Sequence, residues 1–289
     1  MAFVRELAAR RRHGERDRLG SANYVDAAAR RRGASAVVDG TAHSLSRPLV
    51  PHSSPSGRAG MVLTTYFETM GSTMAGTDHV ELDCHGFMST HLDSLNHIGL
   101  DGAWYAGWPT AATKELSVSG FARHGLVTRG VVIDVPAVRG CDHVSADAPV
   151  TGADIEAGLE LAGATFESGD ALLLYMGRDR FEAAGGDFAV LHGSGEPTPG
   201  VGMDGARWIA EHPVSVVAWD FQDALAPSQA RFSVHFLIWA IGLLLVDNCD
   251  YSAVIPRLRE RNRLTGLFSV APLLLDGATG GNVNPLLVV

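Results

Sequence analysis

The sequence predicts an α/β fold built on a mixed β-sheet. Short apolar segments rich in β-branched residues alternate with short segments of helical character, which is the pattern of strands alternating with helices. Several strand segments follow one another with no helix between them, so some neighbouring strands are expected to be antiparallel. The 33 glycines favour many tight turns over long helices.

Seven segments have the composition of strands, and three have the pattern of helices. The predicted strands are residues 61–68, 79–84, 130–135, 171–175, 214–219, 243–246 and 267–274. The predicted helices are residues 151–162, with Asp154 near the start, 204–211, which precedes Pro213, and 252–261. Glycine, proline and serine cluster at 51–60 and 185–202, which predicts two surface loops.

The length of 289 residues permits one or two domains. Because no internal repeat or interdomain linker is evident, we expect a single domain over residues 1–289. Residues 5–32 contain nine arginines against four acidic residues. This basic segment is interpreted either as a targeting segment or as a solvated helical face that contacts a neighbouring subunit. The second interpretation makes residues 1–35 an N-terminal oligomerisation arm.

Composition narrows the classes of partner. A formal net charge of −9 disfavours nucleic acid and anionic membranes as partners, so a small-molecule substrate is expected. No apolar stretch approaches the roughly 20 residues that span a bilayer. The three cysteines are widely spaced and form no CxxC pair, which is typical of a protein in the reducing cytoplasm.

One segment concentrates histidine and carboxylate side chains. His85, His91, Asp93 and His97 lie within thirteen residues. In an extended backbone, residues two apart project to the same side, so His91 and Asp93 can converge on one point. Gly86 permits a bend that returns His85 to that point. Imidazole and carboxylate ligands suit Zn²⁺, Mn²⁺ or Fe²⁺, so this segment predicts part of a metal site.

A second segment, residues 234–248, is needed to complete such a site. We expect His235 to begin a short helix that ends at Gly242, followed by an apolar strand that ends at Asp247. This helix-and-return arrangement places His235 and Asp247 at the same end of the segment. Asp220 and Asp223 form a further carboxylate pair after the 214–219 strand. A lone histidine among apolar residues is more often a hydrogen-bonded core residue, so the prediction depends on the combination of the two segments.

The motif THLDSLNH, residues 90–97, resembles the signature of the cyclase family of metal-dependent hydrolases, which includes kynurenine formamidases and isatin hydrolases. That signature has the form HxGTHxDxPxH. The resemblance extends over most of the chain. It includes residues 19–23 (LGSAN), 45–48 (LSRP), 220–228, His235, 242–248 (GLLLVDN), 271–273 (APL) and 277–285 (GATGGNVNP).

The resemblance implies a swivelling β/β/α core with short flanking helices and a site for one or two divalent ions, Zn or Mn. It implies that His91 and Asp93 are metal ligands, with Asp93 able to bridge two ions. His235 and Asp247 are implied as ligands from the second half, and His97 as the acid/base group. It also implies a homo-oligomer, either a dimer or a tetramer.

Two positions depart from the family pattern. The family's first histidine stands four residues before His91, where this chain has Phe87, and His85 lies six residues before it instead. This is the pattern of a branch with HGxxxTHLD spacing, in which His85 is the candidate replacement ligand. The second-half carboxylate is commonly glutamate in the family, and here it is the shorter Asp247. Both departures leave a mononuclear site or an altered metal preference open.

The expected function is hydrolysis of an amide, cyclic amide or lactone by metal-activated water. The same ion could instead act in a cyclase or dehydratase of natural-product biosynthesis. A third hypothesis is a non-catalytic ligand-binding relative in which Phe87 and Asp247 mark a decayed site.

Aromatic residues near the motif are candidates for substrate binding. Phe87, Trp104 and Trp108 would suit a planar or ring substrate, although core packing explains each of them equally well. Arg178 could bind a substrate carboxylate, but a surface ion pair is the preferred interpretation. Cys84 beside His85 suggests a nucleophile, but a small buried residue is preferred.

Overall fold

The computed structural model describes residues 2–10, 12–51, 60–225 and 233–289. The predicted loop at 51–60 therefore falls almost wholly outside the described residues. The helices within them are α1 Ala2–Ala9, α2 Ala27–Ser35, α3 Ser119–Ala122, α4 Val135–Arg139, α5 Gly152–Ala162, α6 Arg178–Ala183, α7 Phe188–Ser194, α8 Met203–Glu211, α9 Phe236–Ile241 and α10 Ile255–Glu260. Each of these helices is too short to cross a lipid bilayer.

The strands form one large sheet and two small ones. The strands are β1 Ala42–Ser44, β2 Met61–Met70, β3 Thr73–Leu82, β4 His91–Asp93, β5 Leu126–Asp134, β6 Ala171–Tyr175, β7 Gly200–Val201, β8 Val216–Trp219, β9 Gln222–Asp223, β10 Leu244–Asp247, β11 Thr265–Val270, β12 Gly280–Asn282 and β13 Leu286–Val288. The nine-stranded sheet has the order β1-β13-β11-β5-β6-β8-β10-β4-β12.

The sheet is mixed, as the sequence predicts. The central strands β5, β6, β8 and β10 are parallel to one another, and the strands at both ends are antiparallel to their neighbours. The central strands are buried on both faces, which explains their continuous apolar sequences. The α/β prediction with short flanking helices is confirmed.

The predicted helix at 151–162 begins with a capping box. The Thr151 hydroxyl accepts a hydrogen bond from the Asp154 backbone N–H, and the Asp154 carboxylate accepts one from the Thr151 N–H at 2.7 Å. This reciprocal pair satisfies two backbone donors that a helix start leaves free. Helix α5 packs on β5 and on α8, and so covers the centre of the sheet.

Some predicted boundaries differ from the structure. The 185–202 segment is predicted as a loop, but it contains α7 and β7. The strand predicted over 267–274 ends at Val270, because Pro272 cannot continue the hydrogen-bond ladder. The segments 61–68 and 79–84 are strands, but they pair with each other outside the main sheet.

The arginine-rich N-terminal segment packs against its own chain. Helix α1 places Val4 and Ala8 against Trp239 and Ala240, the latter two in α9. Helix α2 lies on β5 and β11. An additional contact between this segment and a neighbouring subunit stays a prediction.

Candidate metal centre

Strand β4 carries His91 and Asp93 between two strands from the end of the chain. Strand β10 pairs with it on one side, with Asp247 opposite His91, and β12 pairs on the other, with Gly280 opposite Asp93. Because side chains two residues apart share a face of a strand, His91, Asp93 and Asp247 point to the same place. The site lies at the carboxyl ends of parallel strands β8 and β10, where ligands commonly bind in α/β sheets.

Asp93 is the centre of the site. Its Oδ1 lies 3.3 Å from His85 Nε2 and 3.5 Å from His91 Nε2, and its Oδ2 lies 3.6 Å from the Nε2 atoms of both His97 and His235. Asp93 is completely buried. The four imidazoles therefore surround one carboxylate, as the two histidine-containing segments predict.

Asp247 closes the other side of the cluster. Its Oδ2 lies 3.3 Å from His235 Nε2 and 4.0 Å from His91 Nε2. Trp219 Nε1 donates a hydrogen bond to Oδ1, and Gln222 Nε2 donates one to Oδ2, each at 2.5 Å. These two donors hold the short Asp247 side chain in one orientation. Their role was not evident from the sequence, although both belong to the segment around Asp220.

The helix predicted between His235 and Gly242 is present as α9. His235 stands immediately before the helix, and Gly242 ends it in the left-handed conformation, with φ of 73°. Glycine adopts this conformation without strain. The chain then enters β10, which ends at Asp247. The helix-and-return unit brings His235 and Asp247 together, as predicted.

The imidazoles are oriented by hydrogen bonds from their other nitrogen atoms. His91 Nδ1 lies 2.9 Å from the Ser89 carbonyl oxygen, which can only accept, so the proton is on Nδ1 and Nε2 keeps its lone pair. His235 Nδ1 forms a close ion pair with Asp223 Oδ2. Such carboxylate–histidine contacts are typical of histidines that bind metal ions. Asp223 therefore supports the site without facing Asp93 itself.

His85 reaches the cluster because β12 is built from glycines at this point. A Cβ atom on Gly280 would lie 2.7 Å from His85 Nε2. The imidazole of His85 also stacks on that of His97, with ring centroids 4.3 Å apart. The glycines of the 277–285 segment thus make room for His85, a role that the sequence analysis did not identify.

Charges and burial shift the pKa values within the cluster. Burial alone would raise the pKa of Asp93, but attraction to His97, the close contact with His85 and the other imidazoles hold it well below its usual value. Burial is also the largest influence on His235, yet Asp223 and Asp247 together raise the pKa of His235 well above its usual value. Burial lowers the pKa of His97, although Asp93 opposes this effect.

The donor set fits a divalent ion. Both Asp93 oxygen atoms are buried and have no hydrogen-bond partner among the described residues, which is costly for a carboxylate unless a cation lies beside it. Two groups of ligand atoms lie within 4.8 Å of one another: His85, Asp93 and His97 in one, and His91, Asp93 and Asp247 in the other. Asp93 belongs to both groups, so the arrangement suits one ion or two.

The structure places two of the three aromatic candidates at the edges of the site. Trp104 lines a cavity of about 600 Å³ together with His97 and Phe236. The ring of Phe87 packs at 4.3 Å from His192, which lines a second cavity of about 340 Å³ that includes Asp223. Trp108 is buried, and its Nε1 donates to the Asp17 carbonyl oxygen. This contact is typical of core packing.

The surroundings of Arg178 exclude a surface ion pair, and those of Cys84 disfavour a nucleophile. Arg178 is buried, so it forms no surface ion pair, and its guanidinium contacts Glu182, Asn248 and the carbonyl oxygens of Phe87 and Asp220. Burial, with smaller effects of Asp93 and Asp247, raises the pKa of Cys84 to about 12. A thiol with such a pKa is a poor nucleophile at neutral pH.

Comparisons with known proteins agree with this fold. The solved structure of a novel cyclase matches with a TM-score of 0.83 at 22% identity, covering 94% of each chain. Isatin hydrolase A from Labrenzia aggregata, bound to benzyl benzoate, matches with a TM-score of 0.60 at 18% identity, covering 89% of this chain and 96% of that one.

A structure described as a predicted metal-dependent hydrolase, from Bacillus stearothermophilus, matches with a TM-score of 0.53 at 19% identity, covering 86% of this chain and 98% of that one. No curated protein matches the sequence. The profile of the Cyclase family matches residues 42–224, which is more than half of the chain. The protein therefore belongs to the cyclase family.

Proposed function

We propose that the protein is a metal-dependent hydrolase that adds water to the carbonyl group of an amide, cyclic amide or lactone. The observation that carries the proposal is the buried Asp93 carboxylate, which has four imidazole nitrogens within 3.6 Å and no hydrogen-bond partner among the described residues. A similarity in fold to isatin hydrolase A, whose name describes hydrolysis of a cyclic amide, supports the same class of reaction.

In this proposal, five residues hold the ion or ions: His85, His91, Asp93, His235 and Asp247. A bound Zn²⁺ or Mn²⁺ supplies Lewis-acid activation of water and of the substrate carbonyl. Asp93 and Asp247 offset the charge of the ion in a site from which the surrounding strands exclude solvent. Trp219 and Gln222 fix the Asp247 carboxylate, so little reorganisation is needed when the substrate binds.

His97 is proposed as the group that moves the proton. Its side chain is 23% exposed and lines the 600 Å³ cavity, whereas His91 and His235 are buried. Because burial lowers its pKa, the imidazole is neutral at pH 7 and can accept a proton from water at Nε2. The same atom can return the proton to the leaving nitrogen or oxygen.

The experiment is a substrate panel in ¹⁸O-labelled water, monitored by mass spectrometry. Protein loaded with Zn²⁺ or Mn²⁺ is offered an N-formyl arylamine, a cyclic amide such as isatin, and an aromatic lactone. Hydrolysis incorporates one labelled oxygen from water in the product. Asp93→Ala is expected to lose both metal and turnover, whereas His97→Ala is expected to keep metal and lose turnover about 10²–10⁴-fold.

The same experiment separates the alternatives. A product of unchanged mass, or one lighter by a water, would replace hydrolysis with a cyclase or dehydratase reaction. Protein that takes up no metal from Zn²⁺ or Mn²⁺ solutions would favour a non-catalytic ligand-binding protein. An Asp93→Ala variant with full metal content and full activity would exclude the proposed site.

A further inference from the structure

Asn282 lies beside the metal centre and has no part in the reaction described so far. It is the last residue of β12, and it stands opposite His91 in the register between β12 and β4. Directly opposed residues of an antiparallel pair have their side chains on the same face of the sheet. The side chain of Asn282 therefore lies on the face that carries His91, Asp93 and Asp247.

The position of Gly280 gives the same result independently. Residues 280 and 282 are two apart in β12, so they share a face of the strand. A Cβ atom on Gly280 would lie 2.7 Å from His85 Nε2, and this nitrogen lies 3.3 Å from Asp93 Oδ1. The face of β12 that includes Asn282 is thus the face that meets the metal centre.

The pattern of the ladder brings Asn282 close to His91. The Val283 backbone N–H donates a hydrogen bond to the Thr90 carbonyl oxygen at 3.2 Å. Because hydrogen-bonded and non-hydrogen-bonded pairs alternate along an antiparallel ladder, His91 and Asn282 form a non-hydrogen-bonded pair. The Cα atoms of such a pair are only about 4.5 Å apart, and their side chains are neighbours.

The Nδ2 atom of Asn282 is buried and has no hydrogen-bond partner among the described residues. Both oxygens of Asp93 and Nε2 of His85 are in the same condition. A divalent ion accounts for those three atoms, because carboxylate oxygens and imidazole nitrogens are its usual ligands. It does not account for Asn282 Nδ2, because an amide nitrogen only donates hydrogen bonds. A buried donor is costly without an acceptor, so this amide calls for an oxygen atom from a bound molecule.

On the basis of the proposed hydrolysis, we propose that Asn282 Nδ2 donates a hydrogen bond to the carbonyl oxygen of the substrate. As the water oxygen bonds to the carbonyl carbon, one water proton goes to His97 Nε2, and the electron pair of the C=O π bond moves onto the carbonyl oxygen. The C=O bond forms again when the bond to the leaving nitrogen or oxygen breaks, and His97 returns the proton to that leaving atom. A fixed donor beside the developing negative charge lowers the barrier to this addition.

Asn282→Leu tests the donor, since it removes the amide and keeps a side chain of similar size. The variant is expected to bind Zn²⁺ or Mn²⁺ as tightly as wild type in competition with a chelator, and to lose about 10²–10³-fold in kcat for the best substrate of the panel. Asn284→Leu is the matched control, because the exposed Asn284 amide contacts Ser44 instead, and it should keep full turnover. A loss of metal in Asn282→Leu would make Asn282 a ligand and would overturn the proposal, as would an unchanged kcat.

The stability of the metal-free protein provides a readout that does not depend on activity. Because Asn282→Leu removes an unpaired buried donor, the midpoint of urea denaturation should stay the same or rise. Asn96→Leu is the comparison, since Asn96 is buried and its Nδ2 donates to the Thr113 carbonyl oxygen at 2.9 Å. That variant should have a lower midpoint. An equal fall in both variants would show that the Asn282 amide serves the fold, and would overturn the proposal.

Formate binding separates this donor from the proposed reaction. Hydrolysis of an amide or lactone releases a carboxylate, whose oxygen atoms can accept the same hydrogen bond, and formate is the smallest one. Metal-loaded wild type and Asn284→Leu are expected to bind formate about tenfold more tightly than Asn282→Leu, measured by calorimetry. Equal binding by all three proteins would overturn the proposal even if wild type hydrolyses the panel. The expected difference without any hydrolysis would support the donor and contradict the proposed function instead.

Discussion

Arg178 donates a hydrogen bond from Nη1 to Oδ1 of Asn248 at 2.7 Å, and both residues are buried. The Asn248 amide group in turn donates to the carbonyl oxygens of Gly86 and Ser89, and Arg178 Nη2 donates to that of Phe87. Asn248 directly follows Asp247. The pair therefore fastens the segment between His85 and His91 to the end of β10, and so fixes the distance between the two halves of the metal site.

Arg178→Lys tests this link. Lysine keeps the charge but cannot donate to Asn248, Phe87 and Glu182 together, so buried acceptors lose their partners. We expect a loss of about 2–4 kcal/mol in the free energy of unfolding, measured by urea denaturation. Arg257→Lys, at an exposed ion pair, is the control and should change stability by less than about 0.5 kcal/mol. Equal effects at the two positions would contradict the assignment.

Asp223→Ala tests the support of His235. Without Asp223, His235 Nδ1 loses its acceptor, and the ring can rotate or take the wrong tautomer. We expect about 10–100-fold weaker binding of Zn²⁺ or Mn²⁺, measured by calorimetry or by competition with a chelator. Asp276→Ala removes an exposed carboxylate that pairs with Lys114 and should leave the affinity unchanged. An unaltered affinity in Asp223→Ala would show that His235 does not depend on this contact.

Trp104 and Trp108 allow a comparison of substrate binding with core packing. Trp104→Ala removes part of the cavity beside His97, so we expect KM for the best substrate to rise about tenfold with kcat little changed. Trp108→Ala removes a buried side chain and should cost about 3–5 kcal/mol of stability. Steady-state kinetics and urea denaturation of both variants distinguish the two roles. If KM rose for Trp108→Ala and not for Trp104→Ala, the two residues would have the opposite roles.

Asp154→Asn tests the start of α5 through pH. Burial alone would raise the pKa of Asp154, but the Arg139 guanidinium and the Thr151 donors outweigh it and lower the pKa to about 2 from the usual 3.8. A lowered pKa in the folded state means that the ionised group stabilises the fold above pH 4 and that this stability is lost as the pH falls towards 2.

We expect Asp154→Asn to lose about 1–2 kcal/mol at pH 7, since partial exposure reduces the full effect of the shift. The difference from wild type should shrink between pH 4 and pH 2, measured by thermal unfolding across this range. Glu160→Gln, on an exposed position of the same helix, serves as the control. A difference that stays constant with pH would exclude an ionic contribution.

Local patterns predicted much of the fold and of the site. The capping residues Thr151 and Asp154 indicate where α5 begins, because the contacts involved lie within one turn. The His235–Gly242–Asp247 unit is likewise readable from spacing. The burial of Arg178 was not predictable, because its partners Asn248 and Phe87 are distant in sequence and meet only in the folded protein. The same reason explains why Gly280 was not connected with His85.

The separation of the β2–β3 hairpin from the sheet also escaped prediction. Residues such as Leu63 and Phe67 have the same strand character whether a strand lies in a core or projects from it. Periodicity reports which side of a strand is apolar, but it does not report what covers that side. The helix in the 185–202 segment was also missed. The glycines of this segment indicated a loop more strongly than the short apolar run from Phe188 indicated a helix.

The position of β4 has a consequence for the newly made chain. Both of its neighbours, β10 and β12, come much later in the sequence, so His91 and Asp93 have no strand partners until residues 244–247 and 280–282 have been synthesised. Unpaired strand edges of this kind invite association with other chains. We therefore expect that a ribosome-bound chain stopped before Gly280 cannot retain a metal ion, and that metal binds only after β12 has been synthesised.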